Sequence, residues 1–159
     1  MIKITVIALG KLKEKYLLDA VKEYAKRLSG YCKLDMVEIE PIRLSDKPSQ
    51  SEINNILDRE AELILKKIPQ NSEVIALCVE GRGLSSEKFA EKIKQSESMG
   101  KSITFIIGSS YGLSERVKQM SSFRLSLSQM TFPHQLFRVM LLEQIYRAFK
   151  INEGSAYHK

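Results

Sequence analysis

The chain has 159 residues, 43% of them hydrophobic and 28% charged, with a net charge of +6 and two cysteines. That length suits one compact domain able to bury a core of its own; no apolar run approaches the ~18 residues of a membrane span, and two cysteines without a CxxC or Cys/His cluster offer neither a disulfide framework nor a metal site. The basic balance raises the local concentration of anions and favours encounter with polyanions such as nucleic acid.

Ile2–Leu9 reads as a first strand. Its apolar stretch is short and ends in Gly10-Lys11, which fits a strand better than a signal peptide. Lys13–Leu28 reads as a helix, with Tyr16, Leu17, Ala20, Val21, Tyr24 and Leu28 at three- and four-residue spacing, closed by Ser29-Gly30. Lys33–Glu40 alternates as a second strand. Ser49-x-x-Glu52 then forms a capping box ahead of a long amphipathic helix that Pro69 closes. Glu73–Val79 and Ser102–Ile107 are nearly continuous in apolar residues, as strands buried on both faces are. Helices are expected over Glu87–Ser98, around Glu115–Met120 and over Pro133–Lys150, with a fifth strand at Phe123–Leu127. In the last helix Leu136, Met140, Leu141, Ile145 and Phe149 make an apolar stripe that reads as core before interface. Cys32 and Cys78 lie in strand-like stretches and read as reduced core hydrophobes of a cytoplasmic protein.

The alternation of strand and helix is that of an α/β domain with a mainly parallel sheet covered on both faces. In such sheets ligands bind beyond the carboxyl ends of the strands. Three polar junctions fall there, the first two bearing glycines: Glu80-Gly81-Arg82-Gly83, Gly108-Ser109-Ser110-Tyr111-Gly112, and Leu127-Ser128-Gln129-Met130-Thr131-Phe132-Pro133-His134. Glycine admits tight turns and close approach of a ligand to backbone, so three such loops in succession point to one pocket. A phosphate-binding GxxxxGK[ST] loop is absent, and the first strand lacks the GxGxxG of an ordinary dinucleotide fold. The ligand site therefore belongs to the C-terminal half. Pro133 suits the first turn of the last helix, where its missing N–H costs nothing, and Thr131 suits its cap.

GSSYG, TFPHQ, the R…LLEQIYRA run and the terminal GSAYHK, together with GKLKEKY near the start, resemble the SPOUT class of RNA methyltransferases. Within that class the chain closely resembles the RlmH family, the 23S rRNA pseudouridine N3-methyltransferases, along essentially its whole length. The resemblance implies a single SPOUT domain over residues 1–159, with a C-terminal trefoil knot within about 73–150 and a tail over 151–159; deep knots are rare exceptions to the rule against threaded loops. It implies S-adenosyl-L-methionine as methyl donor, no metal and no membrane. It also implies a homodimer whose two chains both contribute to the active site, and pseudouridine 1915 of 23S rRNA in the assembled ribosome as the target. Donor contacts carry over to Leu77, Gly108 and the run Leu127, Ser128, Gln129, Met130, Thr131 and Phe132. Ser128, Gln129 and Thr131 offer hydrogen bonds there, and Leu127, Met130 and Phe132 offer apolar walls.

Moving a methyl group from a sulfonium to an imide nitrogen asks for in-line alignment, exclusion of water, and removal or neutralisation of the N3 proton. A cation that stabilises the imidate would serve, as would a base. Arg138 and Arg147 lie nine residues apart, on opposite sides of an ideal helix, so a dimer is needed to bring such a pair to one place. A polar C-terminus ordinarily frays, but the resemblance implies that Tyr157 stacks on the target base and that His158 contacts phosphate or acts as base. His134 is given an orienting role. Lys11, Lys13 and Lys15, crowded ahead of the first helix, are expected to touch rRNA phosphates. Two other readings stay in view. One is the same fold acting on tRNA ribose 2′-O, against which the GSAYH tail argues. The other is a non-catalytic ribosome-binding factor, against which the intact LSQMTF loop argues.

Overall fold

The computed structural model describes all of residues 1–159. Strands and helices alternate without exception: β1 (Ile2–Leu9), α1 (Lys15–Leu28), β2 (Cys32–Ile39), α2 (Gln50–Leu65), β3 (Ser72–Gly83), α3 (Ser86–Ser98), β4 (Ser102–Ile107), α4 (Glu115–Met120), β5 (Phe123–Ser126) and α5 (His134–Asn152). The five strands form one sheet in the order β2-β1-β4-β3-β5, every neighbouring pair parallel. No helix is long and apolar enough to cross a membrane.

Side-chain alternation divides the core. Ile4, Val6 and Ala8 of β1, Ile103, Phe105 and Ile107 of β4, and Ile75 and Leu77 of β3 face one way, against Leu28, Phe89, Ile93, Leu141, Leu142, Ile145 and Phe149 of α1, α3 and α5. Ile7, Leu9, Ala76 and Ile106 face the other way, against Ala61 and Ile64 of α2 and Val117 of α4. The two-fold period of each strand thus serves two helical layers, which is why β1 and β4 read as unbroken apolar runs. Cys32 is in the core, and burial pushes its thiol up to about 11.

Three helices start on serines whose hydroxyls accept a backbone N–H of the first turn: Ser49 from Glu52, Ser85 from Lys88 and Ser114 from Val117. The expected box at Ser49 is half formed, because the Glu52 carboxylate accepts from Ser45 instead. α2 stops at Leu65, ahead of Pro69. Pro133 is the residue before α5 rather than a member of its first turn, with ψ at 130°, and Thr131 does not cap that helix. The apolar stripe expected along α5 is also displaced. Leu136 is exposed and Met140 half-buried, while Leu141, Leu142, Ile145, Ala148 and Phe149 carry the core.

The largest departure is β3, which continues through the expected Glu80–Gly83 loop. It pairs with β5 at Ile75–Leu77, leaves it, and rejoins at Arg82–Gly83, so that residues 78–81 bulge out of register. Gly81 makes this possible. A Cβ there would lie 2.8 Å from the Leu125 carbonyl carbon and 2.9 Å from both Arg124 O and Ser126 N. Val79, expected inside, is 62% exposed.

Candidate active site

The second and third junctions, with Glu80 alone of the first, meet at the carboxyl edge of the sheet around a cleft of about 710 Å³. β3 contributes 77–80, the loop after β4 contributes 108–113, and the stretch after β5 contributes 126–128 and 130–134, with Phe137 of α5 behind. The loop after β4 is folded on itself through a bridge between Ser109 and Gly112, and Gly112 takes φ +86°. Gly108 must be glycine for this fold, since a Cβ would stand 2.4 Å from Gly112 O. After β5 the Ser126 hydroxyl donates to Ser128 O (3.0 Å), and Ser128 Oγ accepts from Met130 N (3.0 Å). These local bonds hold the loop open around the cleft instead of letting it continue as strand.

Of the residues expected to contact a donor, Leu77, Gly108, Leu127, Ser128, Met130, Thr131 and Phe132 line the cleft, whereas Gln129 sits in the same loop without reaching its wall. Three large apolar side chains on this wall are open to solvent: Met130 (75%), Val79 (62%) and Tyr111 (47%). Apolar exposure gathered at one concave site marks a surface that something covers. His134 is also on the wall, where burial and the Arg138 charge lower its pKa and favour the neutral imidazole. Cys78, Val79, Glu80 and Lys118 also line the cleft; of these only Glu80 lies in a junction expected to form it, and Cys78 is there half-buried rather than in the core. The bulge brings the first three in, and only a register, not a motif, could have revealed it.

The tail is folded against its own chain. α5 ends in a Schellman turn: Gly154, at φ +76°, donates to Ile151 O, and Ser155 N donates to Lys150 O, both at 3.0 Å. This reverses the chain along α5. Tyr157 Oη donates to Glu143 (2.9 Å to Oε2), its ring meets Tyr146 edge-on at 5.1 Å, and the Arg147 guanidinium lies 4.8 Å from its centroid. Burial and then Glu143 raise the Tyr157 pKa, so the phenol keeps its proton. Arg147 holds Glu143 through Nε (2.9 Å) and Nη2 (2.7 Å). His158 lies between Arg147 Nη1 (3.1 Å from Nδ1) and Glu87 (2.8 Å from Nε2). Arginine can only donate, so Nδ1 presents its lone pair and Nε2 carries the hydrogen given to Glu87.

Tyr157, His158 and Arg147 are therefore together, but not on the cleft. Phe137, the last α5 residue of its wall, and Arg147 are ten residues apart, about 15 Å of helix rise. Arg138 joins neither group. Its side chain is 1% exposed and donates from Nη1 to Glu38 (2.9 Å) and from Nη2 to Leu9 O (3.0 Å) and Gly10 O (2.8 Å), tying α5 to the end of β1. Burial lowers its pKa against the pull of Glu38. Lys11, Lys13 and Lys15 are exposed on the segment that Glu38 and Gln135 hold by Leu12 N and Lys13 N, beside the start of α5.

Residues 2–158 match the family described as "Predicted SPOUT methyltransferase". The chain belongs to the SPOUT methyltransferases, whose α/β fold carries a C-terminal trefoil knot. A Methanococcus maripaludis protein is 53% identical to it over 157 residues, covering 98% of this chain and 99% of its own. Relatives from Clostridium perfringens (strain SM101) and Clostridium botulinum (strain Langeland), each 52% identical over the same shares, bear the names ribosomal RNA large subunit methyltransferase H 1 and ribosomal RNA large subunit methyltransferase H. Within the class, this chain falls with the RlmH family.

Proposed function

We propose that this enzyme transfers a methyl group from S-adenosyl-L-methionine to N3 of pseudouridine 1915 of 23S rRNA, on the assembled ribosome in the cytoplasm, and that it does so as a homodimer. The observation that carries the reading is the cleft, together with its distance from the tail. The cleft has the volume for a nucleoside and its substituent, apolar walls at Leu77, Leu127 and Phe132, and uncovered apolar side chains awaiting a ligand. These residues fit the donor, which when bound supplies an electrophilic methyl carbon.

The chain's own groups divide the remaining work. Leu127, Met130 and Phe132 exclude water at the donor, while the backbone of the Gly108 loop and of residues 127–132 offers hydrogen bonds to it. Arg147 supplies a fixed positive charge against which an imidate can form, its orientation set by Glu143. Tyr157, kept protonated, is a donor and a stacking surface rather than a base. His158 holds a lone pair at Nδ1, beside the Arg147 charge, and is the group able to take the N3 proton. Since the tail lies about 15 Å along α5 from the cleft of its own chain, the complete site joins one protomer's cleft to its partner's tail. Leu136, Val139 and Met140, on the outer side of α5, fit the contact between them. Lys11, Lys13 and Lys15 supply phosphate contacts.

The test is methyl transfer from labelled S-adenosylmethionine to ribosomes lacking the modification, beside free rRNA and tRNA, read by nucleoside mass spectrometry. N3-methylpseudouridine from ribosomes alone is the expected product. Label in tRNA would move the target to another RNA, and donor binding without any transfer would leave a ribosome-binding protein.

A further inference from the structure

Apart from the His134 imidazole, the cleft wall is apolar or hydroxyl-bearing except at one place. Among all its residues only Glu80 and Lys118 bear a full charge, one of each sign, and they are paired with each other. Their placement is constructed. Glu80 reaches the cleft because β3 leaves β5 between Leu77 and Arg82, a detour that depends on Gly81; bulges of this sort re-aim side chains beside active sites. Lys118 comes from α4 on the other side, with its stem buried and its side chain only 14% exposed. Burial works against its ammonium, and the Glu80 bond and the nearby carboxylates more than offset this. Next to the pair stands Val79, a large apolar side chain turned outward by the same bulge.

We infer that Glu80 and Lys118 form the subsite for the amino-acid end of the methyl donor, with Lys118 receiving its α-carboxylate and Glu80 its α-ammonium. The inference rests on the donor reading above. A zwitterion needs one charge of each sign at neighbouring positions, and nothing else on the wall supplies either. Each contact is a charge-assisted hydrogen bond in a half-desolvated place, the kind that discriminates strongly. The Glu80–Lys118 bond keeps both side chains charged and oriented in the meantime.

Two ligands that differ only at that end decide the matter. S-adenosylhomocysteine carries the amino-acid zwitterion, and 5′-methylthioadenosine lacks it; both have an uncharged sulfur. Titration calorimetry on the wild-type protein and on Lys118→Met and Glu80→Gln should show S-adenosylhomocysteine affinity falling about tenfold or more in each variant, with methylthioadenosine affinity unchanged within about twofold. The charge-swapped pair Glu80→Lys with Lys118→Glu should recover the wild-type melting temperature without recovering S-adenosylhomocysteine binding. Unchanged S-adenosylhomocysteine affinity, or an equal loss for both ligands, would overturn the subsite while leaving the donor site standing. Wild-type protein that binds neither ligand would overturn the donor reading, and this one with it.

Discussion

Glu60 on α2 is 2% exposed, yet only one of its oxygens has a partner, Oε2 accepting from Ile42 N at 3.3 Å; Oε1 has none. Burial raises its pKa. A carboxyl raised on folding holds more protons folded than unfolded, so stability falls as pH climbs from the unfolded value through the folded one. Glu60→Gln removes that dependence. It should raise the melting temperature by about 2–4 °C per kcal/mol gained at pH 7.5 and change little at pH 4, as thermal melts at the two pH values would show. Gly108 is the opposite sort of residue, wanted for what it lacks. Gly108→Ala drives a methyl into Gly112 backbone, and should cost about 1–3 kcal/mol in denaturant melts and weaken donor binding besides. The sequence marked Gly108 as special but for ligand approach; the structure adds that the loop's own backbone claims the space. The tie that Arg138 makes could not be read from sequence. Sequence sets it beside Arg147 as a candidate cation of the last helix, and only the β1 carbonyls and Glu38 across the sheet reveal a tie.

At the scale of elements, strands and helices were legible wherever a single period governed. β1, β4 and α4 fall on their expected bounds. The largest misplacement comes from long-range backbone pairing that local pattern does not encode. Glu80-Gly81-Arg82-Gly83 has turn composition, yet β5 extends it as strand, and Gly81 serves a close crossing instead of a turn. The tail shows the converse. GSAYHK is polar and terminal, which argues for fraying, but Gly154 ends α5 in a reversal that sets the tail on Glu143, Arg147 and Glu87. Gly154→Ala forces a side chain into positive φ and should cost about 1 kcal/mol. Its larger effect is to misdirect Tyr157 and His158. The expected result is a small fall in melting temperature beside a fall in kcat of tenfold or more, with S-adenosylhomocysteine affinity intact. A kcat that falls no more than stability would detach the reversal from catalysis.

At the scale of the molecule, α5 links a cleft at its first turns to the cationic and aromatic tail network at its last, and the two do not meet within one chain. In the proposed homodimer, chemistry that needs both borrows from the second copy, so the two halves should be separable into different chains. A variant lacking residues 155–159 keeps its cleft and loses its tail. It should fold and bind donor nearly as before, and transfer no methyl group to ribosomes. Thr131→Trp, at an exposed position of the cleft wall, keeps the tail and fills the donor site; it too should be inactive alone. When the two are co-expressed and mixed dimers form, one of the two composite sites in each mixed dimer receives an open cleft from one chain and a tail from the other. Statistical pairing makes about half of the dimers mixed, so about a quarter of wild-type activity should return. If each tail served its own cleft, every site would still lack one part and no activity would appear. The recovered fraction therefore measures the geometry directly, through a readout to which neither variant contributes by itself.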